Sequence, residues 1–520
     1  MGNDVTNEHL TRRQLLGRGS VLAGGVVGLG LAGLAGFELP HSDSGVAAAA
    51  PAPALPDTND PDTLVRHFIT RPDLAPPAIS VTNTAAAATT PPYIFLSTKG
   101  YPATGPGQAG NIILDRAGRV VWFASADGQS WLGFDTQTYQ GKPVLTWWQG
   151  TVTAGHGDGE GVIADASYQT IGTVKAGHGL MADLHEFAIT PQDTALITAY
   201  HPAPADLSGL GGPATGFVLA GVVQEIDIAS GKVLFEWDSM DHVEPADTMT
   251  PFTGGTSKVP FDYFHINSIS PTLDGNLLVS SRNTCTIYKI SRADGKIIWR
   301  IGGKKSSFTM GAGSRFYFQH HARSHAGNVL SVFDDGGSPP RVEKQSRAIL
   351  LDLNTSKMTA TLRQQFVHPA GVAAANQGSM QLLADGRVFV GWGNEPYFSE
   401  FAPDGKVSLD GEFPVGDQSY RAFTADWAGR PGGRPAVVAH VNPAGGSVVY
   451  ASWNGATDIA GWTVDAGQTP ATMKRAGVQE LLGFETAIAV AATGPYFAAT
   501  PYDASGAALT ASATVRVTDA

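Results

Sequence analysis

Ala117-Gly-Arg-Val-Val-Trp122 is the first copy of a short stretch that recurs along this chain. It returns as Ser230-Gly-Lys-Val-Leu-Phe-Glu-Trp237, as Asp294-Gly-Lys-Ile-Ile-Trp299 and, more weakly, as Asp404-Gly-Lys-Val407. The glycine supplies the positive φ that a tight hairpin turn needs, and the branched apolar residues after it are typical of a strand. The intervals between the tryptophans give a period of about 50–60 residues when the longer interval is counted as two units.

A second type of strand alternates with this turn. Its copies end at Tyr200, Arg282, Phe333 and Trp392. Periods of this length in a strand-rich chain are typical of four-stranded blades around a central axis. The sequence therefore predicts an all-β protein in which residues 92–431 form a six-bladed β-propeller.

Beyond the propeller the pattern changes to short alternating strands without the blade turn, which predicts a small β-sandwich of the fibronectin or immunoglobulin type over residues 432–520. Before it, residues 62–92 are expected to add a strand or two that brace the first blade. The composition agrees with many short strands and tight turns, because 63 glycines and 33 prolines occur in 520 residues. That length excludes a single small module.

Charge and cysteine content exclude several classes of function. The net charge is −12, and no run of lysine and arginine occurs outside the extreme N-terminus, so the sequence predicts no nucleic-acid partner. The single cysteine, Cys285, excludes an intrachain disulfide and any multi-cysteine metal site.

The N-terminus has the pattern of an export signal. Thr11-Arg-Arg-Gln-Leu-Leu16 precedes an apolar stretch over residues 21–36 and a run of alanines over residues 47–50. This pattern predicts a twin-arginine signal peptide over residues 1–50, followed by a linker and bracing segment over residues 51–91. The mature protein is therefore expected to be secreted through the twin-arginine pathway and to have no membrane attachment after signal removal.

Four polar residues interrupt apolar strand segments at about one per blade: His185, His265, Arg282 and His320. Inner strands of a propeller converge on its axis, so these side chains are expected to meet there. Three histidines could ligate a metal ion. Arg282, however, repels a cation and binds a tetrahedral oxyanion through its fork of N–H donors.

No carboxylates of matching placement accompany these residues in the sequence, which favours an oxyanion site without a metal or a cofactor. Sulfate or phosphate esters are then the expected substrates, with a neutral histidine as the nucleophile. Trp147 and Trp148 could shape an aromatic pocket. The glycine-rich run over residues 155–161, which contains His156, is interpreted as a connection between strands.

The motifs that carry a family resemblance lie between residues 140 and 400. They include Asp183-Leu-His-Glu-Phe187 and Asp262-Tyr-Phe-His-Ile-Asn-Ser268, followed in order by Ser281-Arg-Asn-Thr284 and Phe318-Gln-His320. With these motifs the chain resembles the arylsulfotransferases, in the secreted branch found in actinobacteria and fungi. The resemblance implies a six-bladed propeller that moves a sulfuryl group from a phenolic sulfate to a phenolic acceptor without a nucleotide donor.

The resemblance also implies roles for individual residues. His320 corresponds to the histidine that is transiently sulfurylated in a ping-pong reaction. Arg282, His185, His265 and Asn267 correspond to the groups that hold the sulfate oxygens, and one of these two histidines protonates the leaving phenolate.

Three further residues, His321, Trp147 and Trp148, are assigned with Asn267 to substrate binding. His321 stands where this branch often has an acidic residue, which leaves open which histidine of the pair is the nucleophile. Two other functions stay open from the residues alone. One is a secreted propeller that binds an acidic ligand without turning it over. The other is a quinone-dependent dehydrogenase, although a single cysteine argues against it.

Overall fold

The described part of the chain is built from β-strands joined by turns, as the sequence predicts for an all-β protein. The computed structural model describes residues 64–84, 91–98, 104–337 and 341–518, and all of them belong to the unit Val46–Ala520. The predicted signal peptide lies outside the described residues. Among the residues that are described, no helix has the length and apolar character needed to cross a membrane.

The strands of the first half are numbered in chain order and have the following bounds: β1 Ser80–Asn83, β2 Tyr93–Thr98, β3 Gly110–Asp115, β4 Val120–Ser125, β5 Ser130–Tyr139, β6 Lys142–Thr153, β7 His156–Ala164, β8 Thr170–Val174, β9 Ala182–Ile189, β10 Thr194–Ala205, β11 Gly216–Asp227, β12 Val233–Asp238, β13 Ile266–Pro271, β14 Leu277–Ser281, β15 Thr286–Ile290 and β16 Ile297–Gly302.

The strands of the second half have these bounds: β17 Thr309–Met310, β18 His320–His325, β19 Val329–Asp334, β20 Arg347–Asn354, β21 Thr359–Phe366, β22 Ser379–Leu382, β23 Val388–Gly391, β24 Tyr397–Phe401, β25 Val407–Glu412, β26 Ala422–Ala425, β27 Ala436–Val441, β28 Ser447–Ser452, β29 Gly461–Gly467, β30 Lys474–Glu480, β31 Glu485–Val490, β32 Tyr496–Tyr502 and β33 Val515–Arg516. The described helices are short 3-10 turns: Ser208–Leu210, Ser239–Asp241, Pro245–Asp247, Ala326–Asn328 and Pro470–Thr472.

These strands form seven sheets within the described residues. Five sheets come before residue 426, in the orders β26-β2-β3-β4, β12-β11-β10-β9-β7-β6-β5 with β8 on β7, β13-β14-β15-β16, β17-β21-β20-β19-β18 and β1-β25-β24-β23-β22. Neighbouring strands are antiparallel, apart from the short parallel pair of β17 and β21. The last strand of this region, β26, pairs with β2 near its start, so the two ends of the region share one sheet.

The recurring turn of the sequence occupies the same place in four sheets. Its copies lead into β4, β12, β16 and β25, and the turn glycines Gly118, Gly231, Gly295 and Gly405 all have φ between 71° and 83°. Only glycine adopts this conformation without a steric cost from a Cβ atom. Consecutive strands form groups of four, among them β9–β12, β13–β16, β18–β21 and β22–β25. The second type of strand is the second member of each of these groups, namely β10, β14, β19 and β23.

The first strand of each group contacts the first strand of the next. In chain order, β2 packs beside β5, β5 beside β9, β9 beside β13, β13 beside β18, β18 beside β22 and β22 beside β26. Apolar cores fill the spaces between neighbouring sheets. One such core, for example, joins Ile94 and Ile112 of one sheet to Phe389 and Phe398 of another. This arrangement brings the starts of β5, β9, β13, β18, β22 and β26 together, and the candidate site lies there.

The last two sheets, β27-β28-β31 and β30-β29-β32-β33, share one apolar core that includes Val449 and Ile488 from the first and Trp462 and Phe497 from the second. The segment before β1 contacts these sheets, because Thr70 donates its backbone N–H to Glu485 at 2.6 Å. Strand β1 pairs with β25, and Phe68 and Ile79 share an apolar core with Ile94 of β2, so the N-terminal segment contacts both the group β22–β25 and the first group.

Candidate functional site

A cavity of about 350 Å³ lies where the inner strands begin. It is lined by all four residues that the sequence predicts to be catalytic: His185, His265, Arg282 and His320. His185 is on β9, His265 stands directly before β13, Arg282 follows the last residue of β14, and His320 opens β18. Positions that are up to 135 residues apart in the chain therefore face one space.

The backbone around His265 and Arg282 is tied together at the end of the β13–β14 hairpin. His265 has a φ of 52°, in the left-handed region, and its carbonyl accepts the Arg282 N–H at 2.9 Å. The Ser281 hydroxyl donates to the Phe264 carbonyl beside it. A non-glycine residue in this region costs about 1–2 kcal/mol, so its presence at the cavity fits a functional constraint on the direction of the imidazole.

Each of the three histidines in the cavity is oriented by a carboxylate. The Nδ1–Oδ2 distance is 2.5 Å from His185 to Asp183, 2.5 Å from His265 to Asp262 and 2.7 Å from His320 to Asp335. The expectation that no carboxylates accompany the histidines was therefore wrong. The carboxylates lie two, three and fifteen residues away in the sequence, and each is hydrogen-bonded to its imidazole. Of the three, Asp262 also lines the cavity. Such partners fix the ring orientation and the position of the proton.

His320 is neutral in this environment. Burial lowers the pKa of His320 well below its usual value, and the Arg282 charge lowers it further. The Gln377 backbone N–H donates to Nε2 at 3.2 Å, so Nε2 carries the lone pair and Nδ1 carries the proton. Burial also raises the pKa of Asp335, against the effect of the Arg282 charge.

The other two pairs differ from this one. Burial lowers the pKa of His265 to about 4, and the charge of Asp262 opposes that shift. Burial raises the pKa of Asp183, but the charge and hydrogen bond of His185 outweigh it and bring the pKa to about 2. Asp183 accepts additional hydrogen bonds from the Gly157 N–H at 2.7 Å and from the Thr198 hydroxyl at 3.0 Å, so it is fully stabilised as a carboxylate.

Arg282 supplies the positive charge of the cavity. Its Nη1 donates to Asn283 Oδ1 at 2.7 Å and its Nη2 to the Ala375 carbonyl at 3.1 Å. The guanidinium also lies 5.2 Å from the centre of the Phe318 ring. These contacts hold the guanidinium at the wall of the cavity, where its positive charge and its N–H donors attract an anion.

His320 and His321 line different cavities. His321 has a φ of 51°, and the pairing of β18 with β19 shifts its register between His320 and Arg323. The His321 imidazole faces a second cavity of about 670 Å³, which Arg323 and Arg421 also line, and its Nδ1 lies 3.1 Å from the Met380 carbonyl. The β-bulge therefore separates the two histidines that the sequence could not distinguish.

Three other predicted residues are buried behind the cavity. Asn267 donates its amide N–H to the Gln319 carbonyl at 2.6 Å, directly before His320. Trp148 donates to the Ala182 carbonyl at 2.9 Å, and Trp147 packs against Trp131 with 5.3 Å between ring centres. None of the three is among the described side chains that line the cavity.

His156 belongs to the site, and its interpretation as part of a connection was wrong. Residues 156–161 lie in β7, and a Cβ atom at Gly157 would stand 2.5 Å from the Trp148 ring. The glycines therefore serve close packing against an aromatic ring. The His156 ring is 5.0 Å from that of His265, and its Nε2 is 3.4 Å from Asp262 Oδ2.

His156, Asp262 and His265 are also the group of side chains that could hold a metal ion, since their ligand atoms lie within 4.8 Å of one another. The 2.5 Å between Asp262 Oδ2 and His265 Nδ1 is a hydrogen-bond distance. Two ligands of one tetrahedral zinc ion stand about 3.3 Å apart. Burial lowers the pKa of His156, but the hydrogen bond and charge of Asp262 outweigh it and raise the pKa above its usual value. The group is thus arranged as two imidazoles sharing one carboxylate.

Tyr420 is a cavity residue that the sequence reasoning missed. Its side chain is 3% exposed, and its ring centre lies 5.9 Å from that of His185. The hydroxyl has no hydrogen-bond partner among the described residues. No local pattern marks this position, because it follows the last recurring turn by more than ten residues.

Comparison with known proteins agrees with this site. A family model described as "Arylsulfotransferase (ASST)" matches residues 135–414, just over half of the chain. The chain belongs to the arylsulfotransferase family. The matched segment contains the three histidines, Arg282 and the three carboxylates of the cavity, whereas Tyr420 lies beyond it. Membership of this family assigns a sulfotransferase type of function to the chain.

No curated protein matches the sequence. Among solved structures, this arylsulfotransferase chain is similar to a protein of unknown function from Bacteroides caccae at 13% identity, over 62% of this chain and 93% of that one, with a TM-score of 0.37. It is also similar to the periplasmic gluconolactonase of Pseudomonas aeruginosa at 14% identity, over 82% and 96%, with a TM-score of 0.34. A third is the virginiamycin B lyase of Staphylococcus aureus at 7% identity, over 65% and 99%, with a TM-score of 0.31.

Proposed function

We propose that this arylsulfotransferase moves a sulfuryl group from a phenolic sulfate ester to a phenolic acceptor through a sulfohistidine at His320. The observation that carries the proposal is the state of His320. Its imidazole is neutral, its Nδ1 donates to Asp335, and its Nε2 lone pair is in the same cavity as the Arg282 guanidinium. A neutral nucleophile beside an anion-binding group is what attack on a sulfate ester requires.

In the first half-reaction, Nε2 of His320 forms a bond to sulfur while the bond from sulfur to the phenolic oxygen breaks. The Gln377 N–H, displaced from Nε2, then donates to a sulfuryl oxygen together with Arg282. The departing phenolate takes a proton from His185, since the pKa of His265, lowered to about 4, leaves that imidazole neutral near pH 7. The ring centres of the two histidines are 4.8 Å apart. Preformed donors around the sulfuryl oxygens lower the barrier because negative charge spreads over those oxygens in the transition state.

Sulfurylation turns the His320 ring into a cation, because Nδ1 keeps its proton. The Asp335 carboxylate at 2.7 Å stabilises that cation until the acceptor binds. In the second half-reaction the acceptor hydroxyl gives its proton to the imidazole that protonated the first phenolate, and its oxygen attacks sulfur. The bond from Nε2 to sulfur breaks and the electron pair returns to Nε2. Two sequential displacements at one histidine give ping-pong kinetics.

The proposal extends to the architecture and the location of the protein. The six consecutive groups of strands, and the pairing of β26 with β2, support a six-bladed propeller whose first sheet is completed by β26. The twin-arginine motif in residues 11–16 supports export of the protein, and the net charge of −12 supports small phenolic partners over nucleic acid.

Release of nitrophenol from nitrophenyl sulfate by the purified mature protein tests the proposed function. We expect release that depends on an added phenol, together with formation of the sulfated acceptor detected by mass spectrometry. Release without transfer to the acceptor would indicate a sulfatase. No release with any phenolic acceptor would favour a binding protein.

The pH dependence of the first half-reaction should reflect the lowered pKa of His320. A histidine is a nucleophile only in its neutral form, which exists above its pKa. Because burial and Arg282 lower that pKa, kcat/KM for nitrophenyl sulfate should stay level as the pH falls from about 7 to about 5, through the usual histidine pKa of about 6.5. Nitrophenolate leaves with little help from an acid, so this donor isolates the nucleophile. A decline centred near pH 6.5 would contradict the assignment.

Replacing Tyr420 by phenylalanine should reduce activity without reducing stability. Its hydroxyl lines the cavity and makes no hydrogen bond to a described residue, so a bound sulfate ester is its expected partner. Loss of one hydrogen bond to a charged group corresponds to about a tenfold decrease in kcat/KM. The matched control is Tyr168→Phe, whose hydroxyl donates to the Gly455 carbonyl at 2.6 Å away from the cavity. That variant should lower the melting temperature and leave kcat/KM unchanged, and the reverse pattern would contradict the role of Tyr420.

A further inference from the structure

A buried guanidinium, that of Arg421, lies directly before β26 and behind the wall of the catalytic cavity. The side chain is 6% exposed. Its Nη1 donates to Glu186 Oε1 at 2.8 Å. Its Nη2 donates to two backbone carbonyls, that of His185 at 2.7 Å and that of Asn267 at 3.0 Å. One side chain thus holds the backbones of β9 and β13, the two strands that carry or follow His185 and His265.

The contacts extend from Asn267 to the nucleophile. The Asn267 amide donates to the Gln319 carbonyl at 2.6 Å, and Gln319 directly precedes His320. The carbonyl oxygen of Asn267 that Arg421 binds and the amide that binds Gln319 belong to the same buried residue. Arg421 therefore contacts the strand of one catalytic histidine and lies two hydrogen bonds from the residue before another.

Glu186 keeps the guanidinium in this position. Its Oε2 accepts the Ile269 N–H at 3.1 Å and a bond from Arg323 Nη2 at 2.8 Å. Arg323 comes from β18 and approaches the carboxylate from the side of the second cavity. Beyond Glu186, its described hydrogen bond is to the carbonyl of its own neighbour, Ala322. The two arginines therefore share one carboxylate, but of the two only Arg421 has described bonds to the backbones of β9 and β13.

We propose that Arg421 is a positioning residue for sulfuryl transfer, which fixes the His185 and Asn267 backbones and thereby the relative placement of the catalytic imidazoles. The expected effect of Arg421 on turnover rests on the proposed function. A planar fork of donors can bind two carbonyls and a carboxylate at once, which a lysine ammonium at the end of a flexible stem cannot reproduce. Arg421 lies beyond residues 135–414, the segment that the family model matches.

The test compares Arg421→Lys with Arg323→Lys. Each variant removes one guanidinium from Glu186 and keeps a positive charge at the substituted position. Only R421K removes the bonds to the His185 and Asn267 carbonyls. We expect kcat to fall roughly 10²-fold in R421K with a small change in KM, since displacement of catalytic groups by about 1 Å has such an effect. R323K should stay within about twofold of the unchanged protein. Added guanidinium should partly restore kcat in Arg421→Ala.

A second measurement does not depend on turnover. In protein labelled with ¹³C-histidine, the ring signals of His185 should shift in R421K and remain unchanged in R323K. If the unchanged protein transfers no sulfuryl group, the proposed function fails. A shift of the His185 ring signals in R421K would then still support the positioning role of Arg421. Arg421→Gln replaces R421K if the lysine variant does not fold. An equal loss of kcat in both lysine variants, or an unchanged His185 signal in R421K, would overturn the proposal.

Discussion

Replacing His320 by alanine should abolish acceptor-dependent release of nitrophenol, with a decrease in kcat of about 10⁴-fold. The imidazole is the group whose Nε2 lone pair is in the cavity, and its partner Asp335 is placed to stabilise the sulfurylated ring. Alanine removes the atom to which sulfur is transferred, so no other contact can compensate for it. The measurement is nitrophenol release at saturating donor and acceptor, together with the mass of the protein after mixing with donor alone.

The neighbouring histidine is the matched control for this variant. His321 has the same chemistry but faces the second cavity, where its Nδ1 lies 3.1 Å from the Met380 carbonyl. His321→Ala should keep transfer within about threefold and should still gain the mass of one sulfuryl group from the donor. Loss of transfer in the His321 variant alone would reverse the assignment of the nucleophile.

Replacing Arg282 by lysine should lower kcat by about 10²–10³-fold, with a much smaller change in KM. Its guanidinium is the positive charge of the cavity, and lysine keeps that charge without the fork that matches the sulfuryl oxygens. Arg300→Lys is the control, because that guanidinium also lies over an aromatic ring, 5.9 Å from the centre of Tyr288, outside the cavity. A steady-state comparison of both variants gives kcat and KM separately.

The same variant separates an enzyme from a binding protein. If the cavity only binds an acidic ligand, the loss in Arg282→Lys will be in affinity, and no turnover will be present to lose. Replacing Arg282 by alanine gives a further check, through the pKa of His320. Because the Arg282 charge lowers the pKa of His320, its removal should raise that pKa and move the acid side of the pH profile upward. An unchanged profile would show that the guanidinium is not close to the nucleophile.

Much of the fold follows from local sequence. The turns before Trp122, Trp237 and Trp299 each contain a glycine with positive φ, and each is followed by the strand that the pattern predicts. Such turns can be recognised because they depend on residues that are adjacent in the chain. The partner of β1 could not be read in this way, because β1 pairs with β25 more than 300 residues later.

The candidate site, like the fold, could be predicted only in part from the sequence. The spacing of His185, His265 and His320 indicated that they meet, and the motif order indicated the family. The residues around these histidines come partly from distant positions in the chain, such as Tyr420 at the cavity and Arg421 behind it. These two residues lie in no recurring pattern, since their contacts are made across the interior of the protein and not along a strand.

The sequence by itself determined the strand-rich class, the recurring turns and the residue types of the candidate site, because these depend on composition and on short-range spacing. Only the tertiary structure shows which of two adjacent histidines lines the cavity with Arg282 and is therefore the proposed nucleophile. His320 and His321 are adjacent and chemically identical, and a left-handed φ of 51° at His321 directs the two imidazoles into separate cavities. Burial then holds the His320 imidazole neutral, with Nδ1 donating to Asp335 and the Nε2 lone pair accepting the Gln377 N–H, a state that no sequence pattern specifies.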